Sequence, residues 1–426
     1  MQNSKKLTLA VLIQAALVSS VYASEQSEAK GFVEDAEGSV LFRTGYISRD
    51  KKNVAPDDDT SSAAQSAIVE LKSGFTKGVV GFGVNVVGDA SFKLGENKHA
   101  GNGMIPQYDD TKAAYDHWAR GGASVKARVS NTTVEYGTQV LDIPVLASNT
   151  GRMVPEYFTG VLATSHEINN LELIAGKFTK NQYSDKISTD SNNLDRAVVW
   201  GAKYKFDDQL NASYYGLASK DKLDRHYVNA NYKQALANDA SLTYDFSGYH
   251  TKFKEDADTG YSTAANASDR SNSIWAVSGT YNQDAHSVML AYQQNTGNTG
   301  YDYAYNADGF QSIYLPNSYL GDFNGLKEKS AQIQYNLDFS NYGIPGLNWT
   351  SAYVYGWNIK TQSEDNAKEK ELFNQVKYTV QSGFAKDASL RLRYSHYRTD
   401  ASGYNTYLMP DTNEWRIFLD IPVKLF

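Results

Sequence analysis

The chain has 426 residues, a formal net charge of −7 and no cysteine. Disulfides and thiolate metal sites are therefore excluded, and the acidic balance argues against general nucleic-acid binding. Mean hydropathy is −0.52, too polar for a bundle of membrane helices, and 31 tyrosines and 32 glycines stand against only 8 prolines.

At the N-terminus, Lys5 and Lys6 precede an apolar run from Leu7 to Val18 that Gln14 interrupts, and Val21-Tyr22-Ala23 offers a small-residue cleavage site. The pattern predicts a secretory signal peptide over 1–23, with the mature chain starting near Ser24. The run is too short for a membrane anchor, and no later stretch reaches the ~20 apolar residues of a spanning helix. Losing the two lysines takes the formal charge from −7 to about −9.

From there one pattern repeats: about ten alternating residues, a short turn, a second such segment, then a longer polar connection. In "AVVWGAKYKFDDQLNASYYG", Val198, Trp200, Ala202, Tyr204 and Phe206 share one parity, and Asp207-Asp208-Gln209 makes the turn. In "KSAQIQYNLDFSNYGIPGLNWTSAYVYGW", Ala331, Ile333, Tyr335, Leu337 and Phe339 face one way and Ser330, Gln332, Gln334, Asn336 and Asp338 the other. The pattern predicts about eighteen strands, starting near 38, 65, 79, 119, 132, 160, 171, 195, 210, 224, 240, 271, 286, 327, 347, 370, 388 and 413. Long and short connections alternate between them, except for one short link near 220–223. In an up-and-down antiparallel sheet this puts all short turns at one end, the layout of a transmembrane β-barrel with periplasmic turns and long external loops. A pair of β-sandwich domains would not produce that asymmetry. Residues 24–426 are thus read as a single all-β transmembrane antiparallel barrel.

The last strand shows both faces. In "NEWRIFLDIPVKLF", Trp415, Ile417, Leu419, Ile421, Val423 and Leu425 are apolar, while Glu414, Arg416, Asp420 and Lys424 occupy the other parity. Lipid on one side and water on the other requires this. The terminal Phe426 has the parity of the polar face. Either a bulge near Pro422 resets the register, or Phe426 lies outside the ladder.

Parity also locates a basic strip. In "ASLRLRYSHYR", Leu390 and Leu392 face lipid, so Arg391 and Arg393 face the lumen; the reverse would cost ~2–4 kcal/mol for each arginine near the midplane. Lys377 takes the inward parity of its strand, as does Arg416 in the last. Closure pairs the last strand with the first, "SVLFRTGYISRD", where Arg43 and Arg49 point inward. The expected heights are Arg49 and Arg416 outermost, Arg393 and Arg43 at mid-depth, and Arg391 and Lys377 lower. Lys126 and Arg128 of "SVKARVS" are further pore-wall candidates. Rows of Arg and Lys set anion selectivity in pores, and guanidinium offers a planar fork for carboxylate.

Several stretches, in order and over nearly the whole mature length, resemble the OprD family of substrate-specific outer-membrane channels: "GFVEDAEGSVLFRTGYISRD", "SGFTKGVVGFGVNVVG", "GGASVKARVSNTTVEYGTQVLDIPVL", "MVPEYFTGVLATSHEI", "LPNSYLGDFNG" and "VKYTVQSGFAKDASLRLR". The resemblance implies an eighteen-stranded barrel of a Gram-negative outer membrane, with inward-folded loops near 138–160 and 297–326. It also implies a basic ladder that guides carboxylates, here Arg43, Arg49, Lys377, Arg391, Arg393 and Arg416. By the same resemblance, Ser318, Tyr319 and Asp322 belong to the constriction, with Arg152 and Tyr157 as third-loop candidates; on the opposing loops Asp322 and Asp142 are the acids expected to orient an amino or hydroxyl group. Leu320 stands where the family often has an aromatic, and Gly321 where it has a small hydroxyl residue.

The function so implied is passive, selective uptake of small carboxylate-bearing solutes: amino acids including basic ones, organic or aromatic acids, and carbapenem-type antibiotics. The alternative is a general diffusion porin with little carboxylate preference. An enzyme is not expected. His166-Glu167 begins an HExxH pattern, but Asn170 stands at the second His, and "GFGVNVVG" has Val86 in place of the third glycine of GxGxxG. No catalytic residue, cofactor or metal is expected. The expected partners are outer-membrane lipid, lipopolysaccharide and the solutes, without nucleic acid, in a monomer or homotrimer.

Overall fold

The computed structural model describes residues 24–426 apart from 53, 55–57, 97–99, 192, 221, 255–256, 258–269, 305–312, 362 and 402–407. The predicted signal peptide, 1–23, lies outside the described residues. The alternating segments form β1 (Glu37–Lys51), β2 (Thr60–Lys72), β3 (Val80–Lys93), β4 (His117–Val129) and β5 (Thr132–Gln139). A short hairpin follows, β6 (Asp142–Ile143) and β7 (Leu146–Ala147). The chain continues through β8 (Tyr157–Ile168), β9 (Leu171–Gln182), β10 (Ala197–Lys205), β11 (Leu210–Ser219), β12 (Leu223–Ala235) and β13 (Ser241–Phe253). It ends with β14 (Ser271–Gln283), β15 (His286–Gly297), β16 (Lys329–Asp338), β17 (Leu347–Ile359), β18 (Ala367–Thr379), β19 (Ser389–Thr399) and β20 (Thr412–Lys424).

All but β6 and β7 belong to one eighteen-stranded antiparallel sheet. It closes through β1 and β20, paired from Ser39↔Lys424 to Lys51↔Thr412. Closure leaves no edge with unpaired backbone groups, the condition for a sheet to sit in hydrocarbon. Among the described residues no helix is long and apolar enough to span a membrane.

Short turns link the strands at one end, several of them through a residue with positive φ: Ser130, Asn170, Asn238, Asp239 and Asp284. Asn and Asp tolerate that conformation because their short polar side chains bond locally. The other end carries the long connections, including 94–116, 140–156 and 298–328.

The two faces of β20 separate sharply. Trp415, Leu419, Ile421 and Val423 are 39–47% exposed on the outside, whereas Glu414, Arg416 and Phe418 are at most 2% exposed on the inside. The register between β1 and β20 runs without a shift through Pro422, so no bulge occurs there. Phe426 lies beyond the strand end, yet its carbonyl still accepts from the Gly38 N–H at 3.5 Å while the Leu425 N–H donates to Gly38 O at 2.8 Å. The final aromatic thus closes the seam from outside the regular ladder.

Inside the barrel, the loop at 140–156 packs Met153 and Val154 with Ile47, Met104, Trp118 and Phe418. The loop at 298–328 packs Tyr319 and Phe323 against Ala352, Val354 and Phe373. A further cluster joins Leu141, Ile143 and Leu146 to the β8–β14 wall and to Tyr301 and Leu315. These two loops are therefore fixed to the wall along much of their length, and they narrow the bore.

Candidate functional site: a basic wall beneath two inward loops

Four consecutive strands, β18, β19, β20 and β1, build the basic wall. Directly opposite residues of antiparallel neighbours share a face, so the register gives the arrangement. Arg49 opposes Glu414; Arg416 opposes both Arg393 and Ile47; Arg391 opposes both Lys377 and Phe418; Arg43 opposes Asp420. The six predicted cations therefore share the lumen face.

Register fixes their order along the paired strands. Arg416 is level in register with Arg393, and Arg43 lies one inward pair further towards the short-turn end than Arg391. Parity reveals the face of a strand, but depth depends on pairing offsets that counting from strand ends does not supply.

The wall is a network of cations and carboxylates. Arg43 grips Asp420 with two bonds, Nε–Oδ1 at 2.7 Å and Nη2–Oδ2 at 3.0 Å. Its Nη1 donates to Arg152 O at 2.9 Å and Thr150 O at 3.3 Å, tying the inward loop to the wall. Glu414 lies between two arginines, accepting from Arg49 Nε at 2.7 Å and from Arg416 Nη2 at 3.2 Å, with a further bond from Arg416 Nε. The Arg391 guanidinium lies 5.1 Å from the Phe418 ring centre and Arg43 lies 5.3 Å from the same ring. Arg393 lies 5.0 Å from the Phe373 ring. Lys377 is exposed to the bore. Aromatic faces attract cations without neutralising them, so these contacts hold the guanidiniums in place and preserve their charge.

Arg152 is buried at 4% exposure beside Gly103, whose φ is +77°, and it lines a cavity of about 250 Å³ with Arg49, Asn102 and Tyr183. Tyr157, expected at the constriction, is only 2% exposed and anchors the root of the same loop. Its hydroxyl donates to Asp89 Oδ2 at 2.9 Å. Arg120 holds that carboxylate through Nη2 at 2.9 Å and Nε at 3.3 Å, and also donates to the carbonyls of Pro155 and Tyr183 at 2.7 Å. Asp142 accepts from the Tyr314 hydroxyl, which joins the two inward loops.

In the 298–328 loop, Asp322 accepts from the hydroxyls of Ser318 and Tyr303. Desolvation inside the barrel pushes the Asp322 carboxyl above its ordinary range, opposed by those two hydroxyls and by the charges of Arg416 and Arg152. Tyr319 stacks on Phe373 at 4.3 Å. The loop backbone is also held: Glu371 accepts from Gly321 N at 2.9 Å and from Leu320 N at 3.1 Å, and Gln293 donates to Phe323 O at 2.8 Å. A Cβ at Gly321 would stand 3.0 Å from the Tyr397 ring, which is a steric reason for glycine at this position.

Lys126 and Arg128 do not extend the strip. They lie towards the short-turn end of β4, at 4.8 and 4.1 Å from the Phe75 ring. Lys126 donates to Ser73 O at 2.8 Å, and Arg128 binds Gln26 Oε1 at 3.1 Å and Glu25 at 3.6 Å. They clamp the N-terminal segment and the β2–β3 turn. His166, from the incomplete HExxH pattern, lies 3.0 Å from Glu25 and 3.2 Å from Glu172.

Sequence reading passed over Arg120, Asp89 and Arg225. Arg120 has the parity of Lys126 and Arg128, so the signal was present. Arg225 is fully buried and donates to Thr251 Oγ1 at 2.9 Å and to the Asp302 carbonyl, with Tyr301 4.4 Å beneath its guanidinium. It secures the start of the second inward loop. Among the described residues no cluster of potential ligands could hold a metal ion.

The model of the family described as "outer membrane porin, OprD family" matches residues 30–425. The chain is 35% identical to Porin D of Pseudomonas aeruginosa, covering 96% of this chain and 95% of that one. Its fold superimposes on Acinetobacter baumannii OccAB1 with a TM-score of 0.91 at 69% identity, covering 95% of this chain and 100% of the other. For Pseudomonas aeruginosa OpdK, solved with vanillate, the TM-score is 0.80 at 26% identity, covering 92% and 100% of the two chains.

Proposed function

Since this chain belongs to the OprD family of outer-membrane porins, we propose that it selectively passes small carboxylate-bearing solutes along its basic wall. Its relatives are channels rather than enzymes, and its place is the Gram-negative outer membrane. The observation that carries the finer reading is the contiguity of six cations on the lumen face of β18, β19, β20 and β1.

The route is passive. A carboxylate meets Arg49 first, then passes over Arg416 and Arg393, which at 2% exposure act through their field rather than by contact, then meets Arg391 and Lys377, and leaves past Arg43. Glu414 and Asp420 moderate the field, so no step binds tightly; a solute must be held at several weak sites if it is to leave. Polar and acidic groups of the inward loops, Asp322, Ser318 and Asp142, orient amino or hydroxyl groups on the same solute. Amino acids, organic and aromatic acids and carbapenem-type antibiotics fit this chemistry. The vanillate in OpdK is an aromatic carboxylate and supports the class.

The test is uptake into liposomes of an acid, its amide and a neutral sugar of similar size, with the wild type and with Arg391→Ala/Arg393→Ala. Carboxylate guidance predicts acid above amide, and loss of that difference in the double variant. Equal rates for all three solutes through the wild type would instead identify a general diffusion porin.

A further inference from the structure

We propose that the outer surface of the barrel carries a binding site for the phosphorylated headgroup of an outer-leaflet glycolipid, formed at the external ends of β17, β18 and β19. This concerns the lipid face and does not depend on the selectivity proposed for the bore.

The alternation of β18 places the fully buried Glu369 and Glu371 inside, so Lys368 and Lys370 point outward. Lys370 directly opposes Arg398 of β19 on one side and Tyr355 of β17 on the other. All four line a cavity of about 390 Å³ together with Asp400 and Asp411. Two like charges directly opposite on neighbouring strands repel. A cross-strand pair of cations on an outer face is therefore best satisfied by an anion lying between them.

The two acids of the cavity are already engaged. Asp400 Oδ1 accepts from the Lys368 N–H at 2.7 Å, and Asp411 Oδ1 accepts from the Thr399 N–H at 2.8 Å. Asp411 approaches Arg398 Nε only to 3.9 Å. Neither the Lys368 nor the Lys370 ammonium has a carboxylate partner among the described residues. Arg398 is held rigidly, donating to Tyr397 O at 2.6 Å and Asn413 Oδ1 at 2.9 Å.

Depth identifies the source of the anion. The outward aromatics Tyr353, Tyr355 and Trp415 are 37–47% exposed near the same external strand ends, and such rings mark the headgroup level of a bilayer. The cations lie at or just beyond that belt, on the side where the outer leaflet presents phosphate on a glycolipid. A phosphate offers several acceptor oxygens to a guanidinium fork and two ammoniums at once.

The folded full chain in detergent, probed by native mass spectrometry with bis-phosphorylated lipid A and with its dephosphorylated form, tests this. Phosphate-dependent retention is expected, weakened about fivefold by Lys370→Ala and by a further factor of that size with Arg398→Ala added, and preserved by Lys370→Arg. Heat-modifiable gel mobility verifies folding, and Lys370→Ala alters only an exposed side chain. Equal retention of the dephosphorylated lipid, unchanged retention by the double variant, or complete displacement by millimolar inorganic phosphate would each overturn the proposal.

Discussion

Arg393 and Arg416 stand directly opposite each other on β19 and β20, both on the lumen face and both 2% exposed. Two guanidiniums at this spacing repel, and the cost grows as water is removed. Glu414, which binds Arg416 and Arg49, supplies nearby negative charge that makes the pair tolerable. Cations on this wall are therefore coupled through carboxylates that share their face.

Glu414→Gln should be strongly destabilising. It leaves Arg49 and Arg416 without their shared charge partner in a buried network, a change worth about 3–5 kcal/mol. The thermal midpoint of the folded barrel should fall, and surviving channels should show a reversal potential shifted towards anions. An unchanged midpoint would show that Glu414 contributes little to holding the pair.

Arg391→Ala/Arg393→Ala should reduce anion permeability relative to cation permeability, measured as reversal potential under a salt gradient. The effect should shrink as ionic strength rises, because the Debye length falls from about 10 Å at 0.1 M to about 3 Å at 1 M.

Gly321→Ser introduces a hydroxyl, but its Cβ would press on the Tyr397 ring at 3.0 Å. Overpacking of this kind costs about 1–3 kcal/mol. The variant should loosen the 298–328 loop, seen as added open-channel current noise; Gly321→Ser together with Tyr397→Leu should recover quiet conductance.

The two faces can be tested by moving one charge. Leu392→Arg puts a guanidinium on lipid and should cost about 2–4 kcal/mol in urea unfolding from liposomes. Gln375→Arg, opposite Arg393 on the lumen face, should cost less and should increase anion selectivity. Equal destabilisation by the two would contradict the assigned faces.

Strand number, the face of each strand and the end that carries the long connections were legible in the sequence, because a side chain's direction repeats every two residues and needs only local neighbours. Leu390 and Leu392 against Arg391 and Arg393 decide their own orientation. Register, by contrast, is a relation between strands. It alone set Arg416 against Arg393, carried Arg43 down to Asp420, and showed that Pro422 hides no bulge. The loops lay furthest from local reading. Tyr157 serves Asp89, 68 residues away in the chain, and Arg43 holds the carbonyl of Arg152, 109 residues away. Such contacts depend on which walls closure brings together, and a two-residue period carries no information about that.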